Sequence, residues 1–163
     1  MTTTSNIFAI VIVFLTLYSC KKEQNSSESN IKVKDISFTK EGKLQILRDK
    51  DTIKQLTIEI ADNPYERETG LMYRKKLHTD QGMLFISEET KPQNFYMKNT
   101  LIALDIIYIG EDQKIVSFQK NTIPLDETSL PSVVPAKYIL EVNAGLATKW
   151  QLQVGDSISF KKL

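Results

Sequence analysis

The chain has 163 residues, with 21 Lys and Arg against 20 Asp and Glu and a formal net charge of +1. Its charges are interspersed rather than gathered in a run, which excludes an electrostatic footprint for nucleic acid, so no nucleic-acid partner is expected. One cysteine excludes an intramolecular disulfide and one histidine excludes a multi-histidine zinc site, so neither a metal nor a cofactor is expected.

The first readable element is an export signal. Residues 7–18 (IFAIVIVFLTLY) form an apolar run of signal-peptide length, too short to cross a hydrocarbon core of about 30 Å as a helix. The following Leu17-Tyr18-Ser19-Cys20 resembles a bacterial lipoprotein box, whose cysteine becomes the lipidated first residue after cleavage. This predicts a signal peptide over 1–20, acylation such as palmitate at Cys20, and export to the cell envelope with a lipid anchor in a bacterial membrane. Residues 21–30 (KKEQNSSESN) contain no aliphatic side chain. Such a segment buries too little apolar surface to offset chain entropy, so 21–35 is predicted to be a flexible tether. The remainder, 36–163, has the size of one domain.

Within that domain the two-residue period of a strand recurs. Residues 43–48 (KLQILR) and 53–60 (IKQLTIEI) alternate apolar and polar positions, with Asp49-Lys50-Asp51-Thr52 as the turn between them. Asn63 followed by Pro64 has the form of a helix start, predicting a helix of two or three turns. Residues 105–109 (DIIYI) and 114–119 (KIVSFQ) flank a four-residue loop and predict a hairpin. Further along come a strand over 138–142 (YILEV), a short helix over 144–150, a turn at Gly155-Asp156 and a strand over 157–160. The fold class predicted is mainly β: a single-domain β-sandwich or partly closed barrel with two short helices.

A dense set of short motifs lies between Glu66 and Ile109: Glu66-Arg67, Gly70-Leu71-Met72, Arg74, Leu77, Gly82-Met83-Leu84-Phe85, Phe95, Met97-Lys98-Asn99-Thr100 and Leu104-Asp105. Pro135-Ala136, Tyr138, Leu140-Glu141-Val142, Ala144-Gly145 and Gly155-Asp156 follow later. Together they resemble the domain of unknown function 192 family, a mostly bacterial and uncharacterised family, over nearly all of the domain. The resemblance implies a small β-rich single-domain fold and brings no established reaction, cofactor or ligand. Tyr96 stands where the family usually has tryptophan, which keeps an aromatic face and turns an indole donor into a phenol.

Function must therefore be argued from residue chemistry. Lys98-Asn99-Thr100 is a polar triplet in a loop directly after an aromatic-Met pair, and loops carry binding groups more often than strands do. With the forked donors of Arg67 and Arg74, the rings of Phe95 and Tyr96, and Asp105 at the start of the next strand, it forms the expected ligand-binding set. The reading is a non-catalytic envelope lipoprotein that binds a small anionic or sugar-like ligand or a protein partner. One alternative is an envelope glycan hydrolase using Asp105 and Glu141 as paired carboxylates. Another is a soft-metal carrier in which Met72, Met83 and Met97 hold copper(I). Methionine is also a filler of irregular cores, and each of these three sits among apolar or aromatic neighbours.

Overall fold

Side-chain alternation and burial decide how these strands are arranged. The structure, a computed structural model, describes residues 36–163. The predicted signal peptide, Cys20 and the tether over 21–35 lie outside the described residues. In chain order the elements are β1 (Gly42–Arg48), β2 (Asp51–Ala61), α1 (Pro64–Thr69), β3 (Gln81–Phe95), β4 (Leu104–Ile109), β5 (Ile115–Gln119), β6 (Leu130–Asn143), α2 (Leu146–Lys149) and β7 (Ser157–Lys162). All seven strands belong to one mixed sheet in the order β5-β4-β6-β3-β2-β1-β7. The mainly β class with two short helices is as expected, but the strands form a single curled sheet and not two packed ones.

The curl is visible where the two edge strands approach. Lys114, just before β5, makes an isolated antiparallel bridge with Ser157. Around it the Ile115 N–H donates to the Asp156 carbonyl at 2.7 Å and the Ile158 N–H to the Gln113 carbonyl at 2.8 Å. Beyond this point no ladder joins β5 to β7, so the sheet stays open. Asp156 also takes both forks of Arg48, Nε and Nη2 each at 2.8 Å, pinning the turn before β7 to the end of β1. That guanidinium holds the Asp156 carboxyl below its usual range.

Curling divides the apolar side chains into two clusters, one on each face of the sheet. The inner one gathers Leu44, Ile46, Leu56, Ile58, Leu84, Ile107, Ile109, Leu140, Val142 and Ile158 with Leu146 and Ala147 of α2. The outer one contains Leu71, Met83, Phe85, Met97, Leu104, Ile106, Tyr108 and Ile139. Neighbouring residues of β3, β4 and β6 fall in alternate clusters, so the centres of these strands are covered on both sides. The segment carrying α1 and the loops around Met72 and Met97 forms the cover on the outer face. Met83 and Met97 are accounted for by packing in that cluster.

α1 forms the link between the parallel neighbours β2 and β3. Its start follows the sequence: Asn63 is the N-cap, its side chain accepts the Glu66 N–H at 3.0 Å, and Pro64 occupies the first turn. The helix is only six residues long, because Gly70 ends it with φ of +43°. Strand β3 was not expected at all, and β6 begins eight residues before the predicted strand over 138–142. Among the described residues no helix is long and apolar enough to cross a membrane.

Asp105 has a structural position. It is fully buried in β4 and accepts the Asn121 N–H and the Ala147 N–H, each at 2.8 Å. One carboxylate thus ties the loop after β5 and the first turn of α2 to the middle of the sheet. Replacing it by alanine strands the buried Ala147 N–H, worth about 1–3 kcal/mol when unsatisfied, and loses the part-buried bond from Asn121. Asp105→Ala is expected to lower unfolding stability by about 2–5 kcal/mol in urea denaturation.

Candidate functional site

The outer face carries one cross-sheet row of aligned side chains. Ile106 of β4 pairs with Glu141 of β6, Glu141 with Met83 of β3, and Met83 with Glu59 of β2. With strands about 4.8 Å apart, the two glutamates sit about 10 Å from each other with the Met83 side chain between them. Both are buried. Their surroundings differ.

Glu59 has an ion-pair partner. Arg74 Nη2 lies 2.9 Å from Glu59 Oε2 and 3.0 Å from Oε1, and the Thr39 N–H donates to Oε1 at 2.7 Å. Arg74 Nη1 also donates to the Ser37 carbonyl at 3.1 Å. This ion pair fastens the first described residues onto the sheet.

Glu141 has no hydrogen-bond or ion-pair partner among the described residues. Its carboxyl lies at the base of a pocket of about 190 Å³ walled by Gly70, Met72, Phe85, Phe95, Tyr96 and Thr100, with Arg67 and Glu68 at the rim. Phe85 and Phe95 meet edge to face with centroids 5.2 Å apart, and Phe95 continues to Tyr108 at 6.1 Å. Burial alone pushes the Glu141 carboxyl up to about 8, so it is mainly neutral at pH 7. The Tyr108 hydroxyl is displaced upward by its own burial and by the negative charge that Glu141 can carry.

Gly70 keeps this space open. A Cβ there would stand 2.7 Å from Phe85 Cζ and 3.9 Å from Glu141 Oε2, and the backbone φ is positive. A side chain at position 70 would be strained and would press on the ring beside the acid. Gly82 acts one strand along, where a Cβ would meet the Glu141 carbonyl oxygen at 2.9 Å. It permits the close approach of β3 to β6.

The expected site residues fall into four places. Arg67, Phe95, Tyr96 and Thr100 line the Glu141 pocket. Lys98 and Asn99 line an adjoining depression with Tyr65, Tyr73 and the shared Glu68, Thr69, Met72 and Tyr96. Asn99 also does turn work: its φ is +55°, and the Thr100 N–H closes the turn on the Met97 carbonyl at 3.0 Å. Arg74 lines a separate pocket of about 300 Å³ on the Glu59 side of Met83. Asp105 points to the inner face, because it pairs with Val142 while the next residue, Ile106, pairs with Glu141. Asp105 and Glu141 therefore lie on opposite faces of the sheet and share no cleft.

Glu141 was weighed in the sequence only as half of that pair, and Gly70, Met72 and Phe85 were not among the expected ligand-binding residues. The available signal was a glutamate inside an apolar strand, YILEV. Arg67 is less available than its rim position suggests. It forms an ion pair with Glu88 and donates to the Asp62 and Ile86 carbonyls. Among the described residues, no three or more His, Cys, Asp or Glu side chains are grouped to hold a metal ion.

Fold and pocket define a class: a small, mainly β domain of one open mixed sheet with a solitary buried acid beneath an aromatic pocket. Residues 45–160 match the model of the domain of unknown function 192 (DUF192) family, described as an uncharacterized ACR, and the chain belongs to that family. Two crystal structures are similar to it. A protein of unknown function from Novosphingobium aromaticivorans DSM 12444 is 32% identical over 72% of this chain and 83% of its own, with a TM-score of 0.69. A proposed transcription regulator from Sinorhizobium meliloti 1021 is 36% identical over 77% of this chain and 97% of its own, with a TM-score of 0.71. No curated protein matches the chain.

The position of Glu141 sets a pH dependence of stability. Its folded pKa is raised above the unfolded carboxylate value, so the folded state holds the proton longer. Stability is then greatest at low pH in this respect and falls as pH rises from about 4.5 to about 8, by on the order of 1 kcal/mol per unit. Glu141→Gln, which keeps the shape and cannot ionise, is expected to remove that slope and to exceed the wild type in melting temperature at pH 8. Calorimetry of both proteins across this range measures it.

Proposed function

We propose that this protein is a non-catalytic, ligand-binding domain of the cell envelope, held at a bacterial membrane through lipidated Cys20. The observation that carries the binding reading is the Glu141 carboxyl, buried without a partner at the base of an aromatic-walled pocket. A buried polar group left unsatisfied costs stability unless a ligand or water completes it. The volume of about 190 Å³ lies below the roughly 300–1,000 Å³ typical of drug-sized ligands, which fits one sugar-sized ring or a short chain.

Of the ligand classes expected, a ring-faced, sugar-like molecule fits better than an anion. Phe85, Phe95 and Tyr96 offer aromatic surface, while Glu141 and Thr100 offer polar atoms. An anion would meet two carboxyl groups, and the only Lys or Arg among the lining residues, Arg67, is already paired with Glu88. Asp105 lies on the face opposite Glu141, which leaves the hydrolase that would pair these two carboxylates without its pair. A role in transcription is not carried over from the Sinorhizobium protein, because the balanced charge of this chain gives nucleic acid nothing to hold.

The membrane reading rests on the apolar run and the Ser19-Cys20 box. Cys20→Ala is expected to abolish incorporation of labelled palmitate and to move the protein out of the membrane pellet. Retention in the pellet without label would overturn the lipid anchor. For the pocket, Tyr96→Ala is expected to weaken binding of monosaccharide probes about tenfold by NMR titration, with folding retained because the ring is 40% exposed. Lys98→Ala, which sits in the adjoining depression, is expected to change it less than threefold.

A further inference from the structure

Electrostatic bookkeeping around the pocket favours one charge sign in its occupant. Glu141 is unpaired at the base and Glu68 is exposed at the rim, without an ion pair among the described residues. Arg67, the only cationic side chain lining the pocket, is turned to Glu88 and to two backbone carbonyls. Its charge has no resolved effect on Glu141, whose displacement comes from burial alone. The walls include the rings of Phe85, Phe95 and Tyr96, aromatic groups whose faces carry negative quadrupole potential. The Met72 thioether on the wall is soft, polarisable and conformationally adaptable.

We propose that the ligand carries an organic ammonium group, which enters between Phe85, Phe95 and Tyr96 and pairs with the Glu141 carboxylate. The inference rests on the pocket reading above and names the chemistry of its occupant. An ammonium supplies donors for both oxygens of a buried acid and a cation for the aromatic walls. A neutral hydroxyl supplies a donor but no charge. An anion supplies neither.

The contrast along the cross-sheet row supports this. Glu59, one strand beyond Met83, is ion-paired with Arg74, whose Nη2 donates to Oε1 at 3.0 Å and lies 2.9 Å from Oε2. Both buried glutamates border a cavity, and the fold supplies an internal cation to Glu59 and none to Glu141. A ligand ammonium in the Glu141 pocket occupies the place relative to Glu141 that Arg74 occupies relative to Glu59.

Binding is then coupled to proton release. The empty site holds a neutral acid near pH 7, and the bound site holds a carboxylate, so one proton leaves per ligand bound. Affinity rises with pH, by up to tenfold per unit below about 8, and levels off above it as long as the amine stays protonated.

The test is titration calorimetry on the full chain in detergent, with n-butylammonium, 1-butanol and glucose as probes. A second amine, a capped lysine peptide, distinguishes a free small amine from a protein side chain as the source of the ammonium. The expected result is butylammonium binding at least tenfold tighter than butanol or glucose. Repeating the titration near pH 7 in two buffers of different ionisation enthalpy should show close to one proton released. Glu141→Gln should abolish the preference for the amine. Butanol or glucose binding as tightly as the amine, or no proton released, would overturn the ammonium inference and leave the pocket reading standing. No binding of any probe by protein that melts cooperatively would overturn both. The proton count uses the wild type alone, so the inference stays testable if Glu141→Gln does not fold. Tighter binding of the lysine peptide than of butylamine would assign the site to a protein partner's side chain.

Discussion

Burial on both faces of β3, β4 and β6 is the constraint from which the rest of the structure follows. A strand covered on one side can turn its polar residues to water, but one covered on both sides cannot. Every carboxyl group in the middle of this sheet must therefore find a partner inside the protein or remain an uncompensated cost. Three carboxyl groups face that demand, and the fold treats each differently. Asp105 accepts two backbone N–H groups, and the charge of Glu59 is balanced by Arg74. Glu141 gives up its charge instead, held neutral by burial under an aromatic wall. Among these three carboxyl groups, Glu141 is the one with neither a hydrogen bond nor an ion pair to the described residues.

The short motifs between Glu66 and Ile109 are the device that covers the outer face. Leu71, Met83, Phe85, Met97 and Leu104 fill the outer cluster, while Gly70 and Gly82 let backbone and ring come close. Asn99 makes the turn that returns the chain toward β4. The same residues that build this cover also bound the pocket, so packing and binding surface cannot be separated residue by residue. Met83 separates the pocket over Glu141 from the one beside Glu59.

What could be read from the sequence follows the same division. β1 and β2 were legible because Leu44, Ile46, Leu56 and Ile58 alternate with polar residues that reach solvent or the sheet edge. The β4–β5 hairpin and β7 were legible for similar reasons, and the Asn63-Pro64 start of α1 followed from local capping chemistry. β3 was not legible. Its first half, with Met83, Leu84 and Phe85 buried in succession, has no alternation, and its second half is polar, exposed and broken by register shifts around Pro92. The early part of β6 was hidden by Pro131 and Pro135, residues that usually argue against a strand. Arg67, Phe95, Tyr96 and Thr100, chosen from residue type and nearness to the polar triplet, line the Glu141 pocket. Arg74 and Asp105 were drawn in by charge alone, and only the register of β4 against β6 reveals that Asp105 faces away. The solitary state of Glu141 is a property of three-dimensional packing, and no spacing in the chain announces it.

The place of β6 in the sheet has a consequence for how the protein is made. It is the sixth strand in sequence, yet it lies between β3 and β4 and, among the described residues, carries the ladders that join the β4–β5 hairpin to the β1–β2–β3 half. A ribosome therefore produces two half-sheets, each with an open edge, before the strand that unites them exists. Only when residues 130–143 are available can the halves merge, and β7 then closes on β1. Long-range strand insertion of this kind is slow, and unpaired edges invite wrong partners while it is awaited. The topology thus places the joining of the two halves late in synthesis, after residue 143.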